Sequence, residues 1–191
     1  SILASIAVCT VLGVIIEALA YKPLRGTPSL AVLITAIGVS YLLQSIAQMA
    51  FGSAPKFVVI ADLGTLKIGE IAIGYSTIIT LACSAVIMVG LNLFVKFSKT
   101  GRAMIAVSED KGAAQLMGIN VNNIIMITFA IGSALAALAS LFFLLKAPTM
   151  TPTFGALPGI KAFTAAVIGG IGSIPGAMVG GLLLGVIECF A

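Results

Sequence analysis

Apolar residues in this chain come in long uninterrupted blocks, without the alternation that a half-buried strand shows. The blocks run from Ile2 to Ala20, Ser29 to Phe51, Ile71 to Val95 and Ile124 to Leu145. Each matches the roughly 20 residues that a helix rising about 1.5 Å per residue needs to cross a hydrocarbon core. In lipid every backbone polar group has to be satisfied inside its own segment, which selects helices over a barrel for such blocks. The pattern predicts an all-α, polytopic transmembrane helical bundle forming a single domain over 1–191, with spans at 2–20, 29–51, 71–95 and 124–145. A last apolar block, Ala162 to Ile187 within the segment 162–191, is broken by Gly169-Gly-Ile-Gly-Ser-Ile-Pro-Gly176. The break reads either as a kink in one span or as the tip of a re-entrant pair, which is tolerated at membrane depth where protein covers it.

Four polar stretches separate the blocks. Tyr21-Lys-Pro-Leu-Arg-Gly26 is a short basic turn, and Lys146 opens a Pro/Thr-rich connection through Pro148, Pro152 and Pro158. Residues 52–70 mix Asp62, Lys67 and Glu70 with β-prone pieces such as Phe57-Val-Val-Ile60, the character of an ordered loop. The longest stretch, Lys96 to Asn122, carries Lys99-Thr-Gly-Arg102, Ser108-Glu-Asp-Lys-Gly-Ala-Ala114 and Gly118-Ile-Asn120. There, Ser108, Glu109 and Asp110 supply capping and charge at a helix start, Ala113 and Ala114 propensity, and Gly118 a stop, predicting a short helix from Ser108 to Met117. Ala113, Leu116 and Met117 share one side of it, an apolar patch beside acidic residues that suits a groove on a soluble partner. The plainer alternative is a connector lying on lipid headgroups.

Composition strengthens the membrane reading: 60% of residues are hydrophobic and 8% charged, against about a quarter charged in a soluble domain. The formal charge of +4 sits in the connections rather than in a stripe with interleaved aromatics, so it reports topology and not nucleic-acid binding. Placing the 21–28 and 96–122 loops on one side gathers Lys22, Arg25, Lys96, Lys99, Arg102 and Lys111 there, against Lys56, Lys67, Lys146 and Lys161 opposite. That bias predicts a cytoplasmic 96–122 loop. Cys9, Cys83 and Cys189 are scattered and histidine is absent from the sequence, which disfavours a zinc site or a disulfide framework, so neither metal nor cofactor is expected. No G-x-x-x-x-G-K-S/T occurs, and Gly170-Ile-Gly172-Ser-Ile-Pro175 fails the dinucleotide fingerprint at its last position, so any ATP has to be bound by another protein. The chain enters an apolar run directly at Ser1 and is still apolar at Phe190-Ala191, which predicts a fragment of a longer protein.

Candidate chemistry inside the spans is sparse. Ser40, Gln44 and Gln48 repeat every four residues on one helix face, where they line an aqueous path or, the more ordinary role, hydrogen-bond between helices. Gly172, Gly176 and Gly180, with Gly181 and Gly185, form small-residue faces suited to close packing, and the break around Gly172 and Pro175 is a candidate gate. Glu17 and Glu188 lie near the ends of runs. Mid-span carboxylates are missing, which argues against proton or sodium coupling and against an intramembrane enzyme.

Ala113-Ala114, three residues, then Gly118 resembles the Ala-Ala-x-x-x-Gly core of the cytoplasmic coupling motif in permease subunits of bacterial ABC importers. Its neighbours narrow the resemblance: Gly101-Arg-Ala-Met104, Ala106-Val-Ser-Glu-Asp-Lys111, Met117-Gly-Ile-Asn120, Tyr21-Lys-Pro-Leu-Arg25, Ile37-Gly38 and Lys161-Ala-Phe-Thr-Ala-Ala-Val-Ile-Gly-Gly-Ile-Gly-Ser-Ile-Pro-Gly-Ala177. Together they are similar to the high-affinity branched-chain amino-acid permeases of the Liv H-type, over nearly the whole chain.

The resemblance implies a bacterial inner-membrane permease subunit of an ATP-driven importer for leucine, isoleucine and valine, doing no bond chemistry itself. It implies cytoplasmic ATP-binding subunits, a second permease subunit, an extracytoplasmic substrate-binding protein and membrane lipid as partners, and no nucleic acid. ATPase coupling is assigned to Arg102, Glu109, Asp110, Ala113, Ala114 and Gly118, and the translocation path to Gln44, Gln48, Gly172 and Pro175. Gly112 departs from the general coupling motif, where Glu often precedes the Ala-Ala pair in other ABC permeases, so which acid, if any, meets the ATPase is left open. The alternative reading is an ATP-independent secondary transporter or channel for small solutes.

Overall fold

The computed structural model describes residues 2–24, 29–57, 65–68, 71–170 and 172–190. Along the chain lie α1 (Ile2–Ile16), α2 (Ser29–Phe51), β1 (Lys56–Phe57), β2 (Thr65–Ile68), β3 (Ile71–Gly74), α3 (Tyr75–Phe97), α4 (Lys99–Glu109), α5 (Lys111–Leu116), α6 (Val121–Lys146), β4 (Thr149–Met150), α7 (Ala156–Ile168) and α8 (Ile174–Phe190). Among the described residues, 4 stretches are long and apolar enough to cross a membrane: Leu3–Leu24, Ala31–Phe51, Tyr75–Phe97 and Val121–Lys146. The chain is a multi-pass helical membrane protein, and its short strands are confined to the connections. Two compact units are distinguished, residues 1–58 with 99–152 and residues 59–98 with 153–191.

In the first unit α1 lies along α6. Gly13 permits this, because a Cβ there would collide with the Ser133 hydroxyl. Ser133 in turn donates to the Phe129 carbonyl at 2.8 Å, so the seam receives no unsatisfied hydroxyl. Further along, Tyr21 meets Phe129 with ring centroids 5.0 Å apart and planes tilted by 42°, an arrangement aromatic pairs favour. Between these contacts α1 passes into one π-helical turn, Glu17–Tyr21, closed by the Lys22 N–H donating to the Glu17 carbonyl. Glu17 is 1% exposed, and the residue is engaged in a polar interaction, in keeping with the rule that buried polar groups are paired. β1 pairs antiparallel with β4, Lys56 opposite Met150 and Phe57 opposite Thr149, joining the connections that follow α2 and α6. The β-prone sequence therefore enters a strand at Phe57, while Val58, Val59, Ile60, Asp62 and Glu70 lie outside the described residues, as do Arg25 and Gly26.

In the second unit β2 and β3 pair antiparallel from Thr65 opposite Gly74 to Ile68 opposite Ile71. The 162–191 segment is a hairpin of two helices. Gly170 and Gly172 take φ of +90° and +100°, the left-handed region that a Cβ disfavours, and the chain reverses there. Gly169 then faces Gly176, and Gly180 faces the Ala165 carbonyl, so closely that a Cβ at any of the three glycines would overlap the opposite backbone. Ser173 Oγ accepts from the Gly176 N–H at 3.2 Å, capping the first turn of α8. Pro158 falls in the first turn of α7, where its missing N–H has no intrahelical partner to lose. The helix thus begins inside the Pro-rich connection. At 13 and 17 residues, α7 and α8 are each shorter than a typical span of about 20.

Gly180→Val is expected to destabilise this hairpin by about 1–3 kcal/mol, the usual effect of overpacking a close contact. Gly185→Val, where a Cβ meets nothing within 4 Å, leaves stability unchanged. Melting of the detergent-solubilised proteins separates the two; equal Tm values would place the tight packing elsewhere.

Candidate functional site

The helix expected over Ser108–Met117 is two helices, divided at Asp110. Asp110 is extended, at φ −148° and ψ 112°, and its Oδ1 accepts from the Gly112 N–H at 2.7 Å and the Ala113 N–H at 3.1 Å. These are two of the orphan donors that a helix start exposes, and Asp is among the best residues for taking them. Ser108, in contrast, donates to the Ile105 carbonyl at 2.7 Å and completes α4 together with Glu109. Gly112 leaves room for the cap: a Cβ there would lie 3.3 Å from Asp110 Oδ1.

α5 stops as sharply as it starts. Gly118 has φ +79°, its N–H donates to the Gln115 carbonyl at 2.9 Å, and the Ile119 N–H donates to the Ala114 carbonyl at 3.0 Å. That pair of bonds is the Schellman closure, and it needs glycine at the left-handed position. Ile119 then folds back onto a cluster of Val107, Ala114 and Val121, which are 6%, 3% and 6% exposed, joined by Ile124 and Ile125. One residue each from α4, α5 and α6 meets in this cluster. Asn120 caps α6, its Oδ1 accepting from the Asn123 N–H at 3.3 Å. We term α4–α5 and this seat on α6 the bracket.

The bracket divides the residues assigned to coupling. Asp110 and Gly118 fix the two ends of α5 through backbone bonds and Ala114 is buried in its seat, whereas Arg102, Glu109 and Ala113 are exposed. Leu116 and Met117, 91% and 82% exposed, form an exposed apolar patch with Ala113. α4 is a helix that the sequence pattern does not predict, because Lys99-Thr-Gly-Arg102 reads as part of the polar stretch. Gly101, Met104 and Val107, three apart, were the signal, and the structure buries Gly101 and Val107.

The path candidates stand in separate units. Gln44 in α2 is half-buried, its Nε2 donating to Ser40 Oγ at 3.1 Å within the same helix, and Gln48 is exposed. Gly172 forms the hairpin turn and Pro175 is the second residue of α8, both exposed. An open groove of about 400 Å³ on α6, lined by Thr128, Phe129, Gly132, Ser133 and Ala136, has no signal in the sequence pattern. Its hydroxyls are satisfied by backbone carbonyls of Ile124 and Phe129, which leaves the groove apolar.

Residues 1–190 match the family described as branched-chain amino acid transport system, permease component. The chain belongs to this family. Within the permease family it is 47% identical over 192 residues to the high-affinity branched-chain amino acid transport system permease protein BraD of Pseudomonas aeruginosa. It is 39% identical over 197 residues to the corresponding permease protein LivH of Escherichia coli. Each alignment covers 98% of this chain and 62% of the relative, so the chain spans less than two thirds of these permeases. The fructose import permease protein FrcC of Rhizobium meliloti is 30% identical over 126 residues, covering 63% of this chain and 34% of that protein. A permease named for a sugar shares part of the pattern, so that shared part is no record of an amino-acid substrate. No solved structure matches.

Asp110→Ala is expected to loosen the start of α5 at a cost of about 1 kcal/mol, raising the labelling rate of a Cys placed at Ala114, whereas Asp110→Asn retains the cap. Equal labelling in all three backgrounds would show that the cap does not hold the bracket.

Proposed function

We propose that this chain is the membrane-spanning permease subunit of an ATP-driven ABC importer for the branched-chain amino acids leucine, isoleucine and valine, in the bacterial inner membrane. The observation that carries the reading is the bracket: a short helix fixed at both ends, packed on a span, with an apolar tip left open. Cytoplasmic ATP-binding subunits dock on Ala113, Leu116 and Met117. Arg102 and Glu109 supply charge at the rim. Glu109 is the acid offered to the ATPase, because the Asp110 carboxylate is committed to the α5 backbone. A second permease subunit completes the pathway, and an extracytoplasmic binding protein selects and delivers the ligand.

The chain carries out no bond chemistry in this scheme; it converts motion. When nucleotide closes the ATPases, α5 is displaced with them. Close-packed contacts transmit displacement because they resist compression, so the Val107–Ala114–Val121 seat passes it to the start of α6. The pathway then alternates between outward and inward opening. Gln44, Gln48, Gly172 and Pro175 contribute to that pathway.

The test is crosslinking in membranes from Cys at Leu116, in a full-length version with Cys9, Cys83 and Cys189 replaced, coexpressed with candidate ATPase subunits. A nucleotide-sensitive crosslink from Leu116 or Met117, and none from the buried Ala114, is expected. Leu116→Asp should lower ligand-stimulated ATP hydrolysis about tenfold or more, as loss of a central apolar anchor does at an interface. Correct insertion without any crosslink would overturn the ABC reading and leave an ATP-independent transporter.

A further inference from the structure

The α7–α8 hairpin contains one base and one acid, Lys161 and Glu188, and they are paired with each other. Lys161, Ala165 and Gly169 recur every four residues on one face of α7 and meet Glu188, Gly180 and Gly176 of α8 in turn. The last two contacts are backbone against backbone, Gly169 with Gly176 beside the turn and Ala165 with Gly180 one helical turn farther from it. The ion pair lies at the other, open end. Small-residue faces pack closely but fix neither register nor splay, since dispersion and apolar contacts are non-directional. A hairpin held by small-residue contacts in its turn half alone can therefore splay at its open end, and a directional contact there removes that freedom. The side chains of the pair are 48% and 56% exposed, so neither is enclosed by its own chain, and pairing is what satisfies each charge in an apolar setting.

The geometry points to Lys161 and Glu188 as positioning residues: together they clasp the open end of the hairpin and so set where the Gly170–Gly172 turn and Pro175 stand in the pathway. This rests on the proposed transport role. The clasp is asymmetric. A lone lysine carries its charge toward water on a flexible stem, whereas a lone glutamate is too short to do so. Removing Lys161 therefore disturbs the hairpin more than removing Glu188.

The test uses the full-length chain, without native cysteines, assembled with its partner subunits. Two quantities are read per inserted copy: uptake of leucine, and the labelling rate of a Cys at Ser173 in the turn. Lys161→Met is expected to lower uptake by at least about fivefold, a size ordinary for a broken coupled pair, and to change the labelling rate. Glu188→Gln does less, and Lys161→Glu combined with Glu188→Lys restores both. Single variants that match the parent in both readouts, or a swap as defective as Lys161→Met, would overturn the clasp. A single variant that fails to insert is judged by the swap: recovered insertion with parental labelling supports the clasp, and failure of the swap overturns it. If the parent complex takes up no leucine, the transport reading falls, and the labelling rates still decide the clasp.

Discussion

The contact on which the bracket depends is the seating of Ala114 between Val107 and Val121. An α5 of six residues is far too short to hold itself together in water, where isolated helices below about 12 residues are marginal. It exists because Asp110 terminates its amides, Gly118 turns its carbonyls back on themselves, and a methyl group on its inner face fills a space between two longer helices. Those three conditions leave the outer face exposed among the described residues. Leu116 and Met117 therefore stay exposed without loosening the helix, and a partner can press on them without unfolding what it presses on.

The membrane spans follow a different logic. Within the chain α2 and α3 bury none of their apolar windows, an arrangement that hydrocarbon tolerates and water does not. With apolar burial giving no preference between lipid and neighbour, close approach comes from small residues, as at Gly13 against Ser133 and along the α7–α8 seam. Hydroxyls in the spans are quiet: Thr10, Thr35, Thr80 and Thr128 each donate to the carbonyl four residues back. Among the described residues the ionisable groups of these helices are then the conspicuous polar features. Glu17 is enclosed where α1 loosens into a π turn, and Lys161 and Glu188 satisfy each other.

What could be read from the sequence was whatever is decided locally. Block length and apolar continuity announced the helices and the membrane. The left-handed glycine at 118 and the acid near the start of α5 announced a short, capped helix in the 96–122 segment. What depends on three-dimensional neighbours was not legible. Ser108, Glu109 and Asp110 all look like caps in sequence, and only the competition between α4 continuing and α5 beginning selects Asp110. Ala113 and Ala114 are the same residue type one position apart, yet one is exposed and the other is sealed, because Val107 of α4 and Val121 of α6 close on Ala114. The Gly169–Gly176 break admitted a kink or a reversal. Positive φ at Gly170 and Gly172 decides for reversal, and glycine permits either without announcing it.

The claim that motion passes from α5 to α6 through the seat is tested most directly by measuring leucine uptake and ATP hydrolysis together in the full-length complex carrying Val107→Ala. That change removes two methyl groups beside Ala114, on the order of 1–2 kcal/mol of contact, without touching the exposed tip. Hydrolysis should continue while the amount of leucine moved per ATP falls. An unchanged ratio of transport to hydrolysis in a properly inserted Val107→Ala complex would contradict the account.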